Sequence, residues 1–240
     1  MTYCVGLRLE AGLVLLSDTR TNAGLDNIST YRKMFVFEEP GERAIAMMTA
    51  GNLSVTQTTL ARLQEAIDDP EATPETSIMK AESMLNVATI VGEALSQVTG
   101  ETRSRMDRMA ESANASMIVA GQRKDGHMRL FLVYPEGNFI EATEDTPYLQ
   151  IGEHKYGKPI LDRVITAKTP LEEARKAVLL SMDSTLRSNL SVGMPLDLVV
   201  IERDALRISE KRRIEANDED FARMSAAWSQ ALRDAFAQIA

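Results

Sequence analysis

Apolar and polar positions alternate in strand fashion from the first residues. Residues 3–9 form one such run, Glu10-Ala11-Gly12 turns the chain, and an apolar stretch over 13–16 ends at Ser17-Asp18. Two apolar-patterned segments around a glycine-containing turn predict a β-hairpin. A loop over 19–28 leads to Met34-Phe35-Val36-Phe37, the turn Glu39-Pro40-Gly41-Glu42 and the run Ala44-Ile45-Ala46-Met47-Met48, a second hairpin. The first fifty residues therefore read as four strands, and hairpin connections make the pairing antiparallel.

The hydrophobic period then lengthens. Asn52 is a good N-cap residue type, and Leu53, Thr56, Leu60, Leu63 and Ile67 recur at helical spacing. After Pro70 and Pro74 a second helix is predicted from Ser77 to Gly100, with Ala81, Leu85, Ala88 and Gly92 or Leu95 along one face. The charged stretch from Glu101 to Asn114 reads either as a helical extension or as a surface loop. Strands return over 116–120, 127–134 and 139–143, separated by turns at Lys124-Asp125-Gly126 and Pro135-Glu136-Gly137-Asn138. A third helix starts at Pro170, a residue suited to the first helical position, and presents Leu171, Ala174, Val178 and Met182 on one side. Residues 196–201 and 206–208 read as short strands. A last helix from Asp218 carries a stripe of Phe221, Met224, Trp228, Leu232, Ala235 and Ile239, which is assigned to the core in preference to an interface. Antiparallel hairpins on both sides of a helical pair predict two packed sheets with helices outside them. No stretch is rich enough in Pro, Gly or Ser to be a linker, so residues 1–240 are expected to form a single domain.

Composition narrows the function. The chain has 240 residues, 44% hydrophobic, and a formal charge of −8, which argues against a nucleic-acid partner held by a basic surface. No apolar run approaches the ~18 residues of a membrane span, and the N-terminus has no signal-peptide pattern; a cytoplasmic location is expected. One cysteine, Cys4, excludes an internal disulfide framework, and two histidines, His127 and His154, are too few for a zinc site of the usual type. No metal and no cofactor are expected.

The phosphate-binding, dinucleotide-binding, zinc-protease and serine-elbow motifs are all missing. His127 sits in a turn and His154 in a short charged loop, poor places for a catalytic base, and the pair Glu172-Glu173 reads as a solvated helix start. Thr2 has a different opportunity. Removal of Met1 would leave a threonine whose α-amine, with a reference pKa of about 7.7–8.0, can act as base for its own hydroxyl. Taken alone, a threonine after the initiator methionine has no chemical meaning; neighbours decide. Asp18 ends the second predicted strand, where a hairpin can bring it to Thr2, although a loop-start aspartate is common. Lys33 precedes the third strand and, by itself, reads as a surface lysine beside Arg32. Thr49-Ala50-Gly51-Asn52 places a glycine between a strand and a helix, either for close backbone approach by a ligand or simply as a turn.

Together these residues carry a resemblance. Thr2-Tyr3-Cys4-Val5-Gly6-Leu7, followed by Gly12-Leu13-Val14-Leu15-Leu16-Ser17-Asp18-Thr19-Arg20, resembles the start of a proteasome β-type subunit, a family of N-terminal nucleophile hydrolases. The likeness continues through Lys33, Thr49-Ala50-Gly51, the turns at Asp125-Gly126 and Pro135-Glu136-Gly137, and Ile151-Gly152, to about Glu202. The segment from Ser188 to Asp197 is similar to a late motif of bacterial proteasome-type members. The resemblance implies an α+β fold, a four-layer αββα sandwich of two antiparallel sheets covered by helices. It implies a threonine peptidase with Thr2 as nucleophile, Asp18 and Lys33 as the charged pair beside it, Ser191 and Ser188 near the amine, and Asn22 and Gly51 binding the substrate backbone. The implied partners are a peptide or unfolded protein substrate and further copies of the chain, in a ring or a helical assembly, with an ATPase partner left open. A scaffold of the same fold with little proteolysis, and an amidase acting on small amides, are the alternatives. Three departures bear on catalytic strength. The segment between Asp18 and Lys33 is one residue shorter than the family pattern, Gly152-Glu153-His154-Lys155 replaces a Gly- and Ser-rich turn, and Ser188 stands where aspartate is usual. No propeptide is expected before Thr2 beyond Met1.

Overall fold

The computed structural model describes residues 2–22, 28–106 and 113–239. The strands are β1 (Tyr3–Leu9), β2 (Gly12–Asp18), β3 (Arg20–Asn22), β4 (Ile28–Thr30), β5 (Met34–Glu39), β6 (Arg43–Gly51), β7 (Ala115–Arg123), β8 (Arg129–Val133), β9 (Phe139–Glu141), β10 (Tyr148–Gly152), β11 (Leu196–Glu202) and β12 (Glu210–Ile214). The helices are α1 (Leu53–Asp68), α2 (Met84–Met106), α3 (Lys158–Val164), α4 (Leu171–Ser188) and α5 (Glu219–Gln238). One five-stranded sheet has the order β10-β1-β2-β11-β12, a second has β5-β6-β7-β8-β9, and β3-β4 form a small ribbon. Every pairing is antiparallel.

Because side chains alternate across a strand, each sheet feeds two cores. On β1, Tyr3, Val5 and Leu7 pack against Ala174, Val178 and Met182 of α4, while Cys4 turns to the space between the sheets. On β6, Ile45 and Met47 meet α1 and α2 through Val55, Leu63 and Val91, while Ala44, Ala46 and Met48 face Leu13, Leu15 and Val199 of the other sheet. Three apolar seams between four layers result: an αββα sandwich. Each fully buried Leu, Ile or Val contributes about 1.5–3 kcal/mol to it. Strands buried on both sides explain why segments such as Ala44-Ile45-Ala46-Met47-Met48 read as continuous apolar runs. Among the described residues no helix is long and apolar enough to cross a membrane.

Several elements differ from the sequence reading. The predicted loop at 19–28 contains β3 and runs into β4, and their register joins Arg20 to Thr30 and Asn22 to Ile28. The second helix begins at Met84, not Ser77: the Arg43 guanidinium takes the carbonyls of Ile78 and Ala81 at 3.2 and 3.0 Å, and the Ser83 hydroxyl accepts from the Asn86 N–H at 3.1 Å as a helix start. The same helix continues to Met106, so the first part of the ambiguous charged stretch is helical; residues 107–112 lie outside the described residues. Pro170 is the N-cap of α4, one position before the helix. The last strand is β12 at 210–214, not 206–208, where Leu206 adopts φ 48°. On β12 Ile214 alone is buried, so no apolar alternation marks it. β10 and α3 are two further elements that the sequence pattern does not mark. Finally, the apolar stripe on α5 is not core throughout. Ser225 anchors the helix to α4, donating to Asp183 and accepting from Arg187, both at 2.7 Å, but every described residue past Ser229 is exposed, with Leu232, Phe236 and Ile239 at 51%, 80% and 78%.

Candidate active site

Thr2 precedes β1 and is nearly buried, 8% exposed. The chain on either side of its carbonyl carbon is held twice. The Glu153 N–H donates to the Thr2 carbonyl at 2.7 Å, and the next N–H, of Tyr3, donates to Asp18 Oδ1 at 3.0 Å. Gly152 makes the first contact possible: it has φ 81°, and a Cβ there would lie 1.9 Å from the Thr2 oxygen. Only a glycine lets the end of β10 come this close.

Asp18 closes β2 and is fully buried. It accepts four N–H donors: Tyr3 N and Lys33 Nζ on Oδ1, at 3.0 and 2.7 Å, and Arg20 N and Gly193 N on Oδ2, both at 3.2 Å. Burial pushes the Asp18 carboxyl above its ordinary range, opposed by the Lys33 cation and by the hydrogen bonds from Lys33, Tyr3 and Gly193. All four partners are donors, so the surroundings are built for the acceptor-only carboxylate. Lys33, 5% exposed, also donates to the Arg20 carbonyl at 2.6 Å, and its own carbonyl accepts from the Thr49 N–H at 3.0 Å. The hairpin β1-β2 and the start of β5 thus converge on one buried ion pair, tied to the peptide group that follows Thr2.

Cys4, one residue further on, is no rival nucleophile. Burial, and then the Asp18 charge, push its thiol well above the usual value, which keeps it protonated and weakly reactive.

The segment after α4 is stitched to the same corner. Arg20 donates to the Leu190 carbonyl at 2.8 Å, and the Thr19 hydroxyl donates to the Pro195 carbonyl at 2.7 Å. The Ser191 N–H rests on Asn189 Oδ1 at 2.9 Å, two residues before the Gly193 N–H that reaches Asp18. Ser188 is the last residue of α4, exposed, and makes no hydrogen bond to this cluster among the described residues. Asn22 ends β3 opposite Ile28. Gly51 ends β6 with φ 104°, and a Cβ there would lie 2.4 Å from the Asn114 carbonyl oxygen; close approach is real here, and the neighbouring backbone demands it. Asn52 then caps α1, its side chain accepting from the Val55 N–H at 3.2 Å. His154 meets the Gly152 carbonyl at 3.1 Å through Nδ1, whereas His127 lines a cavity with Arg123 and Met128. What sequence reasoning missed are backbone donors: the N–H groups of Tyr3, Arg20, Glu153 and Gly193 have no side-chain signature. Gly152 is marked in the sequence only through the family likeness, which runs through Ile151-Gly152.

The proteasome subunit family matches residues 2–201. Among solved structures, Anbu (ancestral beta-subunit) from Yersinia bercovieri is 46% identical, with 99% of this chain and 97% of that chain covered at a TM-score of 0.92. The Anbu (Gly-1) mutant from Hyphomicrobium sp. strain MC1 is 50% identical over 100% and 98% of the two chains, with a TM-score of 0.91. The Anbu complex of Pseudomonas aeruginosa, described as a helical assembly, is 43% identical over 99% and 97%, with a TM-score of 0.92. No curated protein matches the sequence. A sandwich shared with these structures over nearly its full length, and a family match that takes in Thr2, Asp18 and Lys33, lead to one assignment: the chain belongs to the proteasome subunit family.

Proposed function

We propose that this chain is a proteasome-type threonine peptidase subunit that works as a homo-oligomer, with Thr2 as nucleophile once Met1 is removed. The observation that carries the reading is the buried Asp18–Lys33 pair, 2.7 Å apart, hydrogen-bonded to the amide that follows Thr2. Met1 itself lies outside the described residues.

In this mechanism the Lys33 cation favours the alkoxide over the hydroxyl and disfavours a proton on the neighbouring α-amine. Asp18, 2.7 Å from Lys33 Nζ, supplies the opposite charge for that cation in a buried place. The free amine, with a reference pKa of about 7.7–8.0, takes the hydroxyl proton; the alkoxide attacks a peptide carbonyl; an acyl-enzyme forms, and the amine returns the proton to the leaving nitrogen. Water then enters, gives a proton to the same amine and attacks the acyl carbon; the amine passes that proton to the Thr2 oxygen as the acyl group leaves. The Gly51 N–H is the proposed oxyanion donor, a role whose loss costs about 10²–10³ in rate elsewhere. Ser191, on the loop stitched to Asp18 through Gly193, is the proposed support of the amine, with Ser188 further out. Asn22 and Gly51 are the proposed backbone contacts of an extended peptide or unfolded protein. The helical assembly described for the Pseudomonas aeruginosa relative supports self-association for this chain.

The test compares the native protein with Thr2→Ala on a fluorogenic peptide panel and on small amides. Peptide cleavage by the native protein, lost in Thr2→Ala at unchanged circular dichroism, is expected. Equal cleavage by both proteins, or turnover of small amides alone, overturns the reading.

A further inference from the structure

The end of the sandwich away from Thr2 carries a group of arginines that the chemistry at Thr2 does not use. β1 runs from Tyr3, beside Thr2, to Leu9, while β6 and β7 pair Gly51 with Ala115 at the Thr2 end and Arg43 with Arg123 at the other. Arg8 of β1 thus lies about 20 Å from Thr2, at 3.3 Å per residue. There a cavity of about 380 Å³ is lined by Arg8, Arg123 and Arg129, which come from β1, β7 and β8.

The positive charge at this end is only partly matched. Arg129 holds Glu141 with a two-pronged contact, Nε to Oε1 at 2.8 Å and Nη2 to Oε2 at 2.5 Å. That carboxylate is therefore spent. Arg8 gives Nε and Nη1 to the carbonyls of Met128 and Ala142, both at 3.3 Å, and keeps Nη2. Arg123 forms no ion pair among the described residues, and its Nε is buried without a partner. Directly across the strand pair stands Arg43, 9% exposed, whose Nε is also buried and unpartnered. Like charges facing each other across an antiparallel pair destabilise it. Burial, and then the Arg123 charge, push the Arg43 guanidinium below its ordinary value, with Glu39 and Glu42 opposing. Glu82 and Asp125, the other carboxylates of the wall, are exposed.

The wall is also held in place. Gln122, buried beside Arg123, donates to the Gly126 carbonyl at 2.8 Å and to Asp204 Oδ1 at 2.6 Å, and the Asp204 N–H donates back to Gln122 Oε1 at 2.9 Å. This fixes the turn that follows Arg123, and donors fixed beforehand bind a ligand at lower ordering cost. The shape of the donor set narrows the ligand. A planar carboxylate is filled by one guanidinium fork, as Glu141 is by Arg129. Donors arriving from strands of both sheets suit an anion with oxygens on several sides. Met84 and Met128, both buried, add an apolar wall.

We propose that this cavity binds a phosphoryl anion, a phosphate monoester or a diphosphate, gripped between Arg8 and Arg123 with Arg129 beside them. An ester's organic group lies against Met84 and Met128. The site is separate from the Thr2 corner and does not rest on the peptidase reading.

The experiment is isothermal titration of the native full-length protein with inorganic pyrophosphate, phenyl phosphate and succinate. Pyrophosphate or phenyl phosphate is expected to bind saturably, at least about tenfold tighter than succinate, and more weakly as salt rises; the tighter of the two gives the ligand's form. R123Q should weaken that binding at least about tenfold, and R123K, which keeps the charge without the planar fork, should weaken it less. Thermal unfolding separates binding from a structural role. Without anion, R123Q should melt no lower than the native protein, because one of two facing like charges is gone. The anion should raise the melting temperature of the native protein and not that of R123Q. Absence of saturable binding, succinate binding as tightly as the phosphoryl probes, or unchanged binding in R123Q overturns the proposal. So does an R123Q that melts below the native protein without anion, which makes Arg123 a structural residue. Loss of self-association in R123Q by sedimentation, with no anion bound by the native protein, also overturns it and assigns the arginines to a contact with a second copy of the chain.

Discussion

Asp18 is the residue on which the candidate site turns, because it is a buried charge whose partners are all donors. Taking Lys33 away leaves that carboxylate in the interior uncompensated, which is far costlier than replacing both members of a pair. For Lys33→Met, a loss of about 3–5 kcal/mol is expected at neutral pH. The loss should shrink in acid. Burial raises the Asp18 carboxyl above its unfolded value, so the folded variant binds a proton more tightly than the unfolded chain. Its stability therefore rises as pH falls through the raised folded value, and the gain is complete below the unfolded value of about 3.9. Urea unfolding of both proteins from pH 4 to 8 checks this; a deficit that stays constant or grows in acid contradicts it. Thr2, Asp18 and Lys33 were legible because side-chain type and chain position together carry the family likeness. The N–H groups of Arg20, Glu153 and Gly193 were not, since any residue but proline supplies that donor and only the fold decides where it points.

At the scale of elements, legibility followed burial. β1, β2 and β6 are buried on both faces and announce themselves; β12, polar but for Ile214, does not. The apolar pattern places the start of α2 too early because Ile78 and Ala81 are buried without being helical, their carbonyls satisfied by Arg43. β10 matters to the site beyond its length of five residues, since its last residue, Gly152, lets the chain close on the Thr2 carbonyl. Gly152→Ala demands both a left-handed alanine and relief of a clash with that oxygen. A destabilisation of about 1–3 kcal/mol is expected, together with reduced reaction at Thr2; unfolding curves and labelling rates measure the two. A variant as stable and as reactive as the native chain would show that β10 does not position Thr2, the proposed nucleophile.

For the whole molecule, three apolar seams hold four layers, and the strand and helix order already allowed that arrangement. Which α5 residues stay exposed was not readable: a stripe of Leu232, Ala235 and Ile239 has the same spacing whether or not another layer covers it. The account as a whole depends on the chemical state of Thr2, the proposed nucleophile. It is tested most directly by the intact mass of active protein before and after treatment with a threonine-directed electrophile, beside Thr2→Ala. The prediction is a chain lacking Met1 that gains a single adduct, absent from Thr2→Ala. Active protein that keeps Met1 or a blocked amine, or an adduct that persists in Thr2→Ala, would contradict it.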